Sequence, residues 1–501
     1  MPDSVFELDL PPGLDSDDSS FSAKGRWYDA VNMRFWNGRP QLLGEAQTVF
    51  ADTGAYSDLF PFTRDSVTYL AIGAGSVGAG HLYLSANGAS PADRSAAGFP
   101  SDVPCWSFGT WGTTLLVNPT GGTLYEQSDT ENASAVPAAP DQITAMLVTP
   151  QRQVVAYGCN EEISGAFNER CIRWSDLEDY NDWTTTATNN AGEHILDGSG
   201  PILAGVQVGE SEVVLTKNEI YLQQYIGDPG QTYSFTKIAN NCGIVGPKAY
   251  CVSGQTLYWF GSDLRLRVWQ AGAAPQIVPC PMLRSIQNEL KGSGDALSLI
   301  RLCFLSKYEE VWIQYQAGAQ LAAVVSTRDG SWFKVGAGIS PGGMVDSALL
   351  NSVENIGSGV SFRSNTFGLI SGRVTAMECD RFVVSDYPTE WSIRSADQYI
   401  ESGQRRVMIK GIIPDFATNP DAGGSNANPD ATVSVTLYMK NRPQSAPVIK
   451  GPYSVGVGAT KKAFRASGKL ISVEFSGTTA DVNRELRIGK CIFPFSTLGE
   501  R

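Results

Sequence analysis

The stretch Leu257-Tyr-Trp-Phe-Gly-Ser-Asp-Leu-Arg-Leu-Arg-Val-Trp269 places two apolar runs on either side of a short polar turn. The same order of run, turn and run occurs in Val213-Val-Leu-Thr-Lys-Asn-Glu-Ile-Tyr-Leu222. Two such runs around a turn predict an antiparallel hairpin. Asp263 lies 45 positions after Asn218, so this hairpin is a candidate for a repeating unit.

The hairpin pattern recurs along most of the chain and predicts its fold class. Five further pairs of runs are Tyr69–Ile72 with His81–Leu84, Leu115–Val117 with Leu124–Tyr125, Val154–Tyr157 with Ile172–Trp174, Val311–Tyr315 with Leu321–Val325, and Val360–Arg363 with Phe367–Ile370. The turns of the seven hairpins are spaced by roughly 42 to 55 residues, close to the ~40 to 50 residues of a four-stranded propeller blade. We therefore predict an all-β fold whose residues 26–404 form a β-propeller of about six or seven blades. The alternative is a set of irregular β-sandwiches that contain similar hairpins.

The segments outside this repeat predict an arm, a closing hairpin, one helix and a second domain. Residues 1–25 are acidic and rich in turn formers, typical of an arm that orders only against a partner or of a floppy terminus. Val31–Leu43 alternates around Asn37-Gly38, and we expect this hairpin to pair with the last blade and close the ring. Pro281–Leu290 has helical apolar spacing through Met282, Leu283, Ile286 and Leu290, which indicates a helical insert between blades.

Longer strands begin near residue 405 and predict a C-terminal β-sandwich over residues 405–501. Its expected strands are Val407–Ile413, Thr432–Tyr438, Leu470–Phe475 and Leu486–Phe493. The segment Asp415–Asp430 is rich in Asn, Pro, Gly and Ala, so we expect an exposed loop there.

The composition limits the classes of function. The chain has 51 Asp and Glu against 38 Lys and Arg, a net charge of −13, which disfavours a sequence-reading nucleic-acid binder. An acidic passage would still let DNA slide without sticking. The nine cysteines contain no Cys-x-x-Cys pair, so we expect reduced thiols rather than zinc ligands or a disulfide framework. No signal peptide and no apolar run of ~18 residues is evident, so we expect folding in a cytoplasm without stable membrane insertion.

Two sequence patterns resemble parts of hydrolases. Gly338-Ile-Ser-Pro-Gly342 matches Gly-x-Ser-x-Gly, but Pro341 has no N–H to offer to an oxyanion hole. A serine or cysteine nucleophile would need one of the two histidines, His81 or His194, as its base, and structural roles are expected for both. We therefore predict no catalytic residues and interpret the chain as a non-enzyme.

Four other patterns are compared with binding sites. Gly73–Gly80 is rich in glycine but joins two strands and opens no helix, so a hairpin loop is expected rather than a phosphate site. Asp176–Asp182 is acidic but lacks the ligand spacing of an EF-hand. Ser326-Thr-Arg-Asp-Gly-Ser-Trp332 resembles an Asp-box turn of sialidase propellers, with Arg328 at the place of its aspartate. Within the strands, Trp174, Trp259, Trp269 and Trp312 are expected to pack between blades, and we predict no cofactor and no metal.

Several short segments occur in a characteristic order along the chain. The segments of the central region are Val31-Asn-Met-Arg-Phe with Asn37-Gly-Arg39, Ile172-Arg-Trp-Ser-Asp176 with Asp182-Trp183, Gly200-Pro-Ile202, Lys217-Asn-Glu-Ile-Tyr221, Gly243-Ile-Val-Gly-Pro247, and Gly254 to Asp263. Towards the end come Arg405-Arg-Val407, Pro414-Asp415, Gly451-Pro-Tyr453 and Arg487-Ile-Gly489. The order of these segments resembles the tail nozzle or hub proteins of short-tailed bacteriophages, also called packaged-DNA stabilisation proteins. The likeness spans most of residues 30 to 495.

The resemblance implies a structural virion protein at the tail vertex, assembled in the host cytoplasm. The implied partners are identical subunits in a homo-hexameric ring, the adaptor or head-tail connector, other tail proteins, and packaged DNA that passes through the lumen without sequence-specific binding. The alternative is a carbohydrate-binding or carbohydrate-active propeller, such as a tail adhesin or hydrolase. That alternative requires two convergent carboxylates in a central pocket, ~5 to 10 Å apart.

Overall fold

A computed structural model of the chain describes residues 4–43, 45–48, 56–75, 80–228, 231–291, 294–317, 319–336, 366–370, 373–379, 390–401, 403, 405–418, 430–482 and 486–498. Regular structure within these ranges is almost entirely β-strand. The all-β fold class is therefore confirmed.

The chain begins with five short strands before the repeating part. They are β1 (Ser4–Leu8), β2 (Trp27–Val31), β3 (Met33–Trp36), β4 (Arg39–Leu42) and β5 (Glu45–Thr48). β3 and β4 form the predicted hairpin, with Phe35 opposite Pro40. Its turn residues Asn37 and Gly38 have φ values of 49° and 76°, the positive values that a two-residue hairpin turn requires.

Twenty strands then follow as five consecutive four-stranded antiparallel sheets, here called sheets one to five. Sheet one contains β6 (Tyr56–Arg64), β7 (Val67–Ala74), β8 (His81–Ala86) and β9 (Ala92–Asp93). Sheet two contains β10 (Trp106–Trp111), β11 (Thr114–Pro119), β12 (Tyr125–Gln127) and β13 (Ser134–Ala135). Sheet three contains β14 (Ile143–Val148), β15 (Val154–Asn160), β16 (Phe167–Trp174) and β17 (Gly192–Ile195). Sheet four contains β18 (Ile202–Val208), β19 (Ser211–Thr216), β20 (Glu219–Asp228) and β21 (Gln231–Asn240). Sheet five contains β22 (Tyr250–Ser253), β23 (Thr256–Phe260), β24 (Leu266–Gln270) and β25 (Gln276–Ile277).

Two further groups of strands continue the same pattern. After helix α1 (Leu283–Leu290) and a 3-10 helix (Gly294–Leu299), sheet six is formed by β26 (Arg301–Leu305), β27 (Glu310–Ala317), β28 (Ala319–Ser326) and β29 (Trp332–Val335). Sheet seven contains β30 (Thr366–Ile370) and β31 (Arg373–Cys379), and the early strand β5 pairs with β31. An N-terminal strand thus completes the last sheet of the series.

The remaining strands build a second group of sheets. They are β32 (Glu390–Ser395), β33 (Gln398–Tyr399), β34 (Val407–Ile412), β35 (Phe416–Thr418), β36 (Thr432–Lys440), β37 (Val448–Gly456), β38 (Lys462–Gly468), β39 (Leu470–Thr478), β40 (Leu486–Ile488) and β41 (Cys491–Thr497), with the short helix α2 (Thr479–Val482) between β39 and β40. β1, β41, β34 and β38 form one sheet in that order, and β3, β4, β40 and β35 form another.

One large sheet connects the two groups. β2 pairs in parallel with β29 and antiparallel with β32, so sheet six continues through β2, β32, β39 and β36 to β37. β32 precedes residue 405, where the second domain was predicted to begin, and yet it pairs with β39.

Successive sheets pack face to face through apolar side chains. Separate buried clusters fill the spaces between sheets one and two, two and three, and three and four. At Gly73 in β7, an added Cβ would lie 2.4 Å from Cδ1 of Trp106 in β10 of the next sheet. A side chain there would collide with the buried indole, so a glycine within a strand marks this close approach.

Most hairpin predictions are confirmed by strand pairing, and two differ. The Val31–Leu43 hairpin pairs with β40 through Gln41 and Arg487 rather than with the last sheet of the series. That closing position is taken by β5, which the apolar pattern does not mark because Glu45–Thr48 is largely polar. The Val360–Arg363 run lies outside the described residues, and Phe367–Ile370 pairs instead with β31.

The predicted helix is confirmed as α1, and the strand predicted over Leu486–Phe493 is interrupted. The Gly489 N–H donates to the backbone oxygen of Asp415, and the Lys490 N–H donates to the Asp415 carboxylate at 2.8 Å. These contacts turn the chain between β40 and β41, which belong to different sheets. Of the predicted loop Asp415–Asp430, residues 416–418 form β35 and residues 419–429 lie outside the described residues.

The acidic N-terminal arm is ordered against its own chain. β1 pairs with β41, and Leu14 is 3% exposed with its N–H donating to the Trp332 oxygen. Ser20 donates to the Asp397 carboxylate, which also accepts from Lys440 at 2.7 Å. The prediction that this segment orders only against a partner is therefore wrong. Its apolar side chains, such as Leu8 and Leu14, are buried against the same chain, although acidic residues surround them in the sequence.

Candidate functional site

The two histidines lie in different sheets, and each contacts side chains of its own neighbourhood. His81 lies in sheet one, with Nδ1 3.2 Å from Ser95 Oγ and 3.5 Å from the Asp93 carboxylate. His194 lies in β17 of sheet three and stacks on Phe235 at 4.6 Å, and burial lowers its pKa. Stacking and hydrogen bonding within their own neighbourhoods account for both side chains.

The acidic segment Asp176–Asp182 is a loop whose carboxylates are used to hold the chain. Asp176 accepts from the Asn190 N–H at 2.7 Å, and Asp182 accepts from the Thr184 N–H at 3.1 Å. The Asp176 N–H donates to the Asp182 oxygen at 2.8 Å, which closes the loop. Across the ranges that the structure describes, no cluster of His, Cys, Asp or Glu could hold a metal ion.

The segment Ser326–Trp332 forms the turn between β28 and β29. The Ser331 N–H and hydroxyl both donate to the Asp329 carboxylate, at 3.0 and 2.7 Å. The guanidinium of Arg328 lies 4.2 Å from the centre of the Trp36 ring, a cation–π contact. These contacts give the turn a packing role against the β3–β4 hairpin.

The remaining predicted positions are the four ladder tryptophans and two glycine-containing segments. The four ladder tryptophans Trp174, Trp259, Trp269 and Trp312 are at most 5% exposed, as expected for packing. In the glycine-rich segment, Gly73 contacts Trp106, and residues 76–79 lie outside the described ranges. Gly338–Gly342 lies wholly outside them.

A buried ion pair, missed by pattern reasoning, ties four sheets together. Arg301 at the start of β26 donates to the Asp58 carboxylate in β6 at 2.6 Å, and both side chains are at most 6% exposed. Asp58 also accepts from the Trp106 N–H at 3.0 Å, and Arg301 donates to the Pro104 oxygen at 3.3 Å. The neighbouring Leu302 N–H donates to the oxygen of Lys248, just before β22. Sheets one, two, five and six therefore meet at this pair.

The signal for this pair is a charge in an apolar strand. Tyr56-Ser-Asp-Leu-Phe60 and Ile300-Arg-Leu-Cys-Phe304 each carry one ionic residue in a mostly apolar run. A buried charge persists only with a partner, so each position implies one. The sequence does not indicate that the two positions pair with each other, because 243 residues separate them.

A second buried cluster lies between sheets three and four. Tyr157 in β15 donates to Gln223 in β20 at 3.0 Å, and Gln223 donates to the Glu212 carboxylate in β19. Tyr157 is fully buried and Glu212 is 3% exposed. Burial raises the pKa of Glu212 to about 7, so this carboxyl group titrates near neutral pH.

The other deeply buried carboxylates each hold a cation. Glu310 pairs with Arg34 at 2.8 Å, with both side chains 1% exposed, and Asp397 pairs with Lys440 at 2.7 Å. With Asp58 bound to Arg301 and Glu212 bound to Gln223, these four groups lie at four separate contacts between elements. Each of the four carboxylates joins two elements of the fold through its own partner.

Comparisons with known proteins give structural likeness only. No family model matches the chain, and no curated protein matches it in sequence. No helix among the described residues is long and apolar enough to cross a membrane.

Three solved structures are similar to this chain at low identity. YCF48 bound to D1 peptide is 10% identical with a TM-score of 0.38, and the match covers 76% of this chain and 96% of that one. U3-55K is 8% identical with a TM-score of 0.40, covering 67% and 98%. PorZ, a surface component of the type-IX secretion system of Porphyromonas gingivalis, is 10% identical with a TM-score of 0.34, covering 72% and 44%. Likenesses at this level carry no argument about the function of this chain.

Proposed function

We propose that this chain is a structural, ring-forming component of a bacteriophage tail, of the nozzle or hub type. The subunits form a homo-hexamer below the portal and adaptor, and the lumen of the ring passes and retains packaged DNA. The protein then belongs to the virion, at the tail vertex. The family resemblance of the sequence suggests this role, and the architecture of the subunit supports it.

The proposal includes a finer description of the fold. Sheets one to seven form the seven blades of a propeller, since β6 contacts both β10 and β30 and thereby joins the first sheet to the second and to the last. β5 joins the seventh blade by pairing with β31, so a strand from the start of the chain and strands from the end of the series share one blade. The strands from β32 onwards, with β1 to β4, form a β-sandwich.

The observation that carries the proposed function is the ten-stranded sheet shared by the two parts, whose tenth strand, β33, pairs with β39. Because sheet six continues through β2 into β32, β39, β36 and β37, hydrogen-bonded strands connect the propeller to the sandwich. A flexible linker would let two domains move, whereas a shared sheet fixes them as one rigid block. A subunit whose two parts cannot move relative to each other suits a ring that must keep its shape while DNA passes.

In this proposal DNA passes outside the subunit, between neighbouring copies, and the position of the Asp58–Arg301 pair supports that choice. The pair joins the innermost strands of sheets one and six at the axis of the proposed propeller, where DNA would otherwise have to pass. The conduit is therefore the lumen between subunits, and the chain's net charge of −13 keeps phosphates from sticking to it.

Native mass spectrometry and electron microscopy of the purified full-length chain test this function. We expect a closed ring of identical subunits, and weak or absent retention of duplex DNA at physiological salt. A chain that remains monomeric at micromolar concentration, or one that binds a glycan through a single pocket carboxylate, would contradict the proposal.

A further inference from the structure

Two edge strands from different sheets form a basic, partly apolar surface. β37 ends the ten-stranded sheet, β38 ends the sheet of β1, β41, β34 and β38, and Tyr453 of β37 stacks on Phe464 of β38 at 4.5 Å. Residues 431–473 contain seven Lys and Arg and no Asp or Glu. Five of these cations are exposed: Arg442 and Lys450, before and within β37, and Lys461, Lys462 and Arg465, before and within β38. No ion pair involving these five occurs within the part of the chain that the structure describes. We call β37 together with these five cations the basic edge.

The basic edge also presents a sheet edge. β37 pairs with β36 alone and is the terminal strand of its sheet. Val448 and Ile449, at its start, are 54% and 57% exposed. A nine-residue edge strand with exposed apolar side chains is a surface that proteins usually cover, because it invites another chain to dock.

A second exposed surface, on sheet three, has the opposite charge. The hairpin turn at residues 161–166 carries Ile163, which is 94% exposed, and Phe167 at the start of β16 is 47% exposed. Ile195 at the end of β17, the terminal strand of this sheet, is 40% exposed. Three large apolar side chains thus project from one region.

Carboxylates surround these apolar groups. Glu161 and Glu162 directly precede Ile163 in the turn, Glu169 follows in β16, and Glu193 lies in β17. Hydrogen bonds from Asn168 and Ser164 lower the pKa of Glu161, so it stays charged. Within the described ranges none of the four carboxylates forms an ion pair with a cation. We call these four residues with Ile163, Phe167 and Ile195 the acidic patch.

The two surfaces reflect an uneven charge along the chain. Residues 405–501 contain 14 Lys and Arg against 7 Asp and Glu, whereas residues 1–404 contain 24 against 44. The net charges are therefore +7 and −20, which together make the −13 of the whole chain. Complementary fields of this kind steer association and fix which surfaces meet.

We propose that the basic edge of one subunit docks on the acidic patch of the next copy of this chain. This inference rests on the proposed ring and names the contact that would build it. Because the two surfaces differ, the contact is heterologous, the type that repeats head to tail and closes into a ring. A nucleic-acid strand is a poorer occupant, since phosphates match the cations but leave Val448 and Ile449 uncovered.

Charge reversal of each surface tests the contact. In full-length protein, K461E/K462E reverses the basic edge and E161K/E169K reverses the acidic patch. Each variant alone should lose the ring, with at least a tenfold weaker association in sedimentation velocity, because like charges then face each other. The variants K291E and E131K, which reverse exposed charges outside both surfaces, should assemble as the wild type does. Equal melting temperatures confirm that the variants are folded.

An equimolar mixture of the two reversed variants makes the test specific. The reversed edge of one variant then faces the reversed patch of the other, and the two unreversed surfaces also match. We expect rings with alternating subunits to form in the mixture, seen by native mass spectrometry as equal numbers of the two chains. Failure of the mixture to assemble would overturn the contact.

The outcomes separate this inference from the function on which it rests. A wild-type ring that survives in both reversed variants overturns the contact and leaves the ring in place. A wild-type chain that stays monomeric overturns both. If K461E/K462E abolishes binding of a 30-base-pair duplex and leaves assembly unchanged, the basic edge is a nucleic-acid surface and the contact is wrong.

Discussion

At the scale of single residues, buried charged side chains form the polar contacts between separate sheets and strands. Arg301 bridges from sheet six to Asp58 in sheet one, and Arg34 bridges from β3 to Glu310 in sheet six. Removing one partner of such a pair leaves a buried charge unpaired, which is strongly destabilising. Each pair therefore specifies which elements meet as well as holding them together.

Glu212 gives a pH-dependent prediction at this scale. Its pKa rises from 4.5 to about 7 because burial disfavours the charged form. The folded state then binds the Glu212 proton more tightly than the unfolded chain does. This tighter binding contributes its full stabilising free energy below about pH 4.5, and the contribution is lost as the pH rises through about 7. Glu212→Gln, which stays neutral, should be more stable than the wild type at pH 8, by at most about 3 kcal/mol, and nearly equal to it at pH 4.5.

Urea midpoints measured at several pH values check this expectation. Glu131→Gln, at an exposed position, is the matched control and should show no such trend. A difference between Glu212→Gln and the wild type that does not change with pH would contradict the assignment.

At the scale of elements, the strands and hairpins follow local patterns, while their partners follow packing. The Asn37-Gly38 hairpin forms as its sequence predicts but pairs with β40 rather than with the last sheet of the series. Turn chemistry fixes the hairpin itself. Which sheet it joins depends on a strand more than 400 positions away, and no local signal encodes that choice.

Gly205 provides the prediction for packing between elements. An added Cβ at this position in β18 would lie 1.9 Å from Cε2 of the buried Tyr157 ring in sheet three. Gly205→Ala should therefore destabilise the protein by about 1–3 kcal/mol, because the two sheets must move apart. Gly456→Ala in β37, where nothing lies within 4 Å, is the matched control. Thermal unfolding of both variants decides, and equal melting temperatures would show that the sheets adjust freely.

At the scale of the whole molecule, the chain combines an acidic body with a basic C-terminal part. The net charges of −20 for residues 1–404 and +7 for residues 405–501 give the subunit a strong polarity. Such polarity favours head-to-tail association of copies over association between like surfaces.

Salt should therefore weaken assembly of the wild-type chain. Raising the ionic strength from 0.1 M to 1 M shortens the Debye length from about 10 Å to about 3 Å, which screens exposed charge pairs. We expect the association constant from sedimentation velocity to fall over this range. The far-ultraviolet circular dichroism spectrum should stay constant as a control for folding. Assembly that strengthens steadily with salt would indicate a mainly apolar contact and contradict the charge-based one.

The sequence by itself determined the all-β class, the positions of most hairpins and helix α1. These features depend on alternation, turn residues and helical spacing within about 20 residues, and such local preferences act before the chain is compact. The absence of a nucleophilic site, expected from Pro341 and from the presence of only two histidines, His81 and His194, stays a prediction.

Only the tertiary structure decided how these pieces join. It placed β5 in the seventh sheet, extended sheet six through β2 into the C-terminal strands, and paired Asp58 with Arg301. The physical reason is that strand edges and buried charges accept any suitable partner, and only the fold brings one distant segment within reach. The acidic patch and the basic edge are also properties of the folded surface, because exposure of Ile163 and Ile449 is set by what the rest of the chain leaves uncovered.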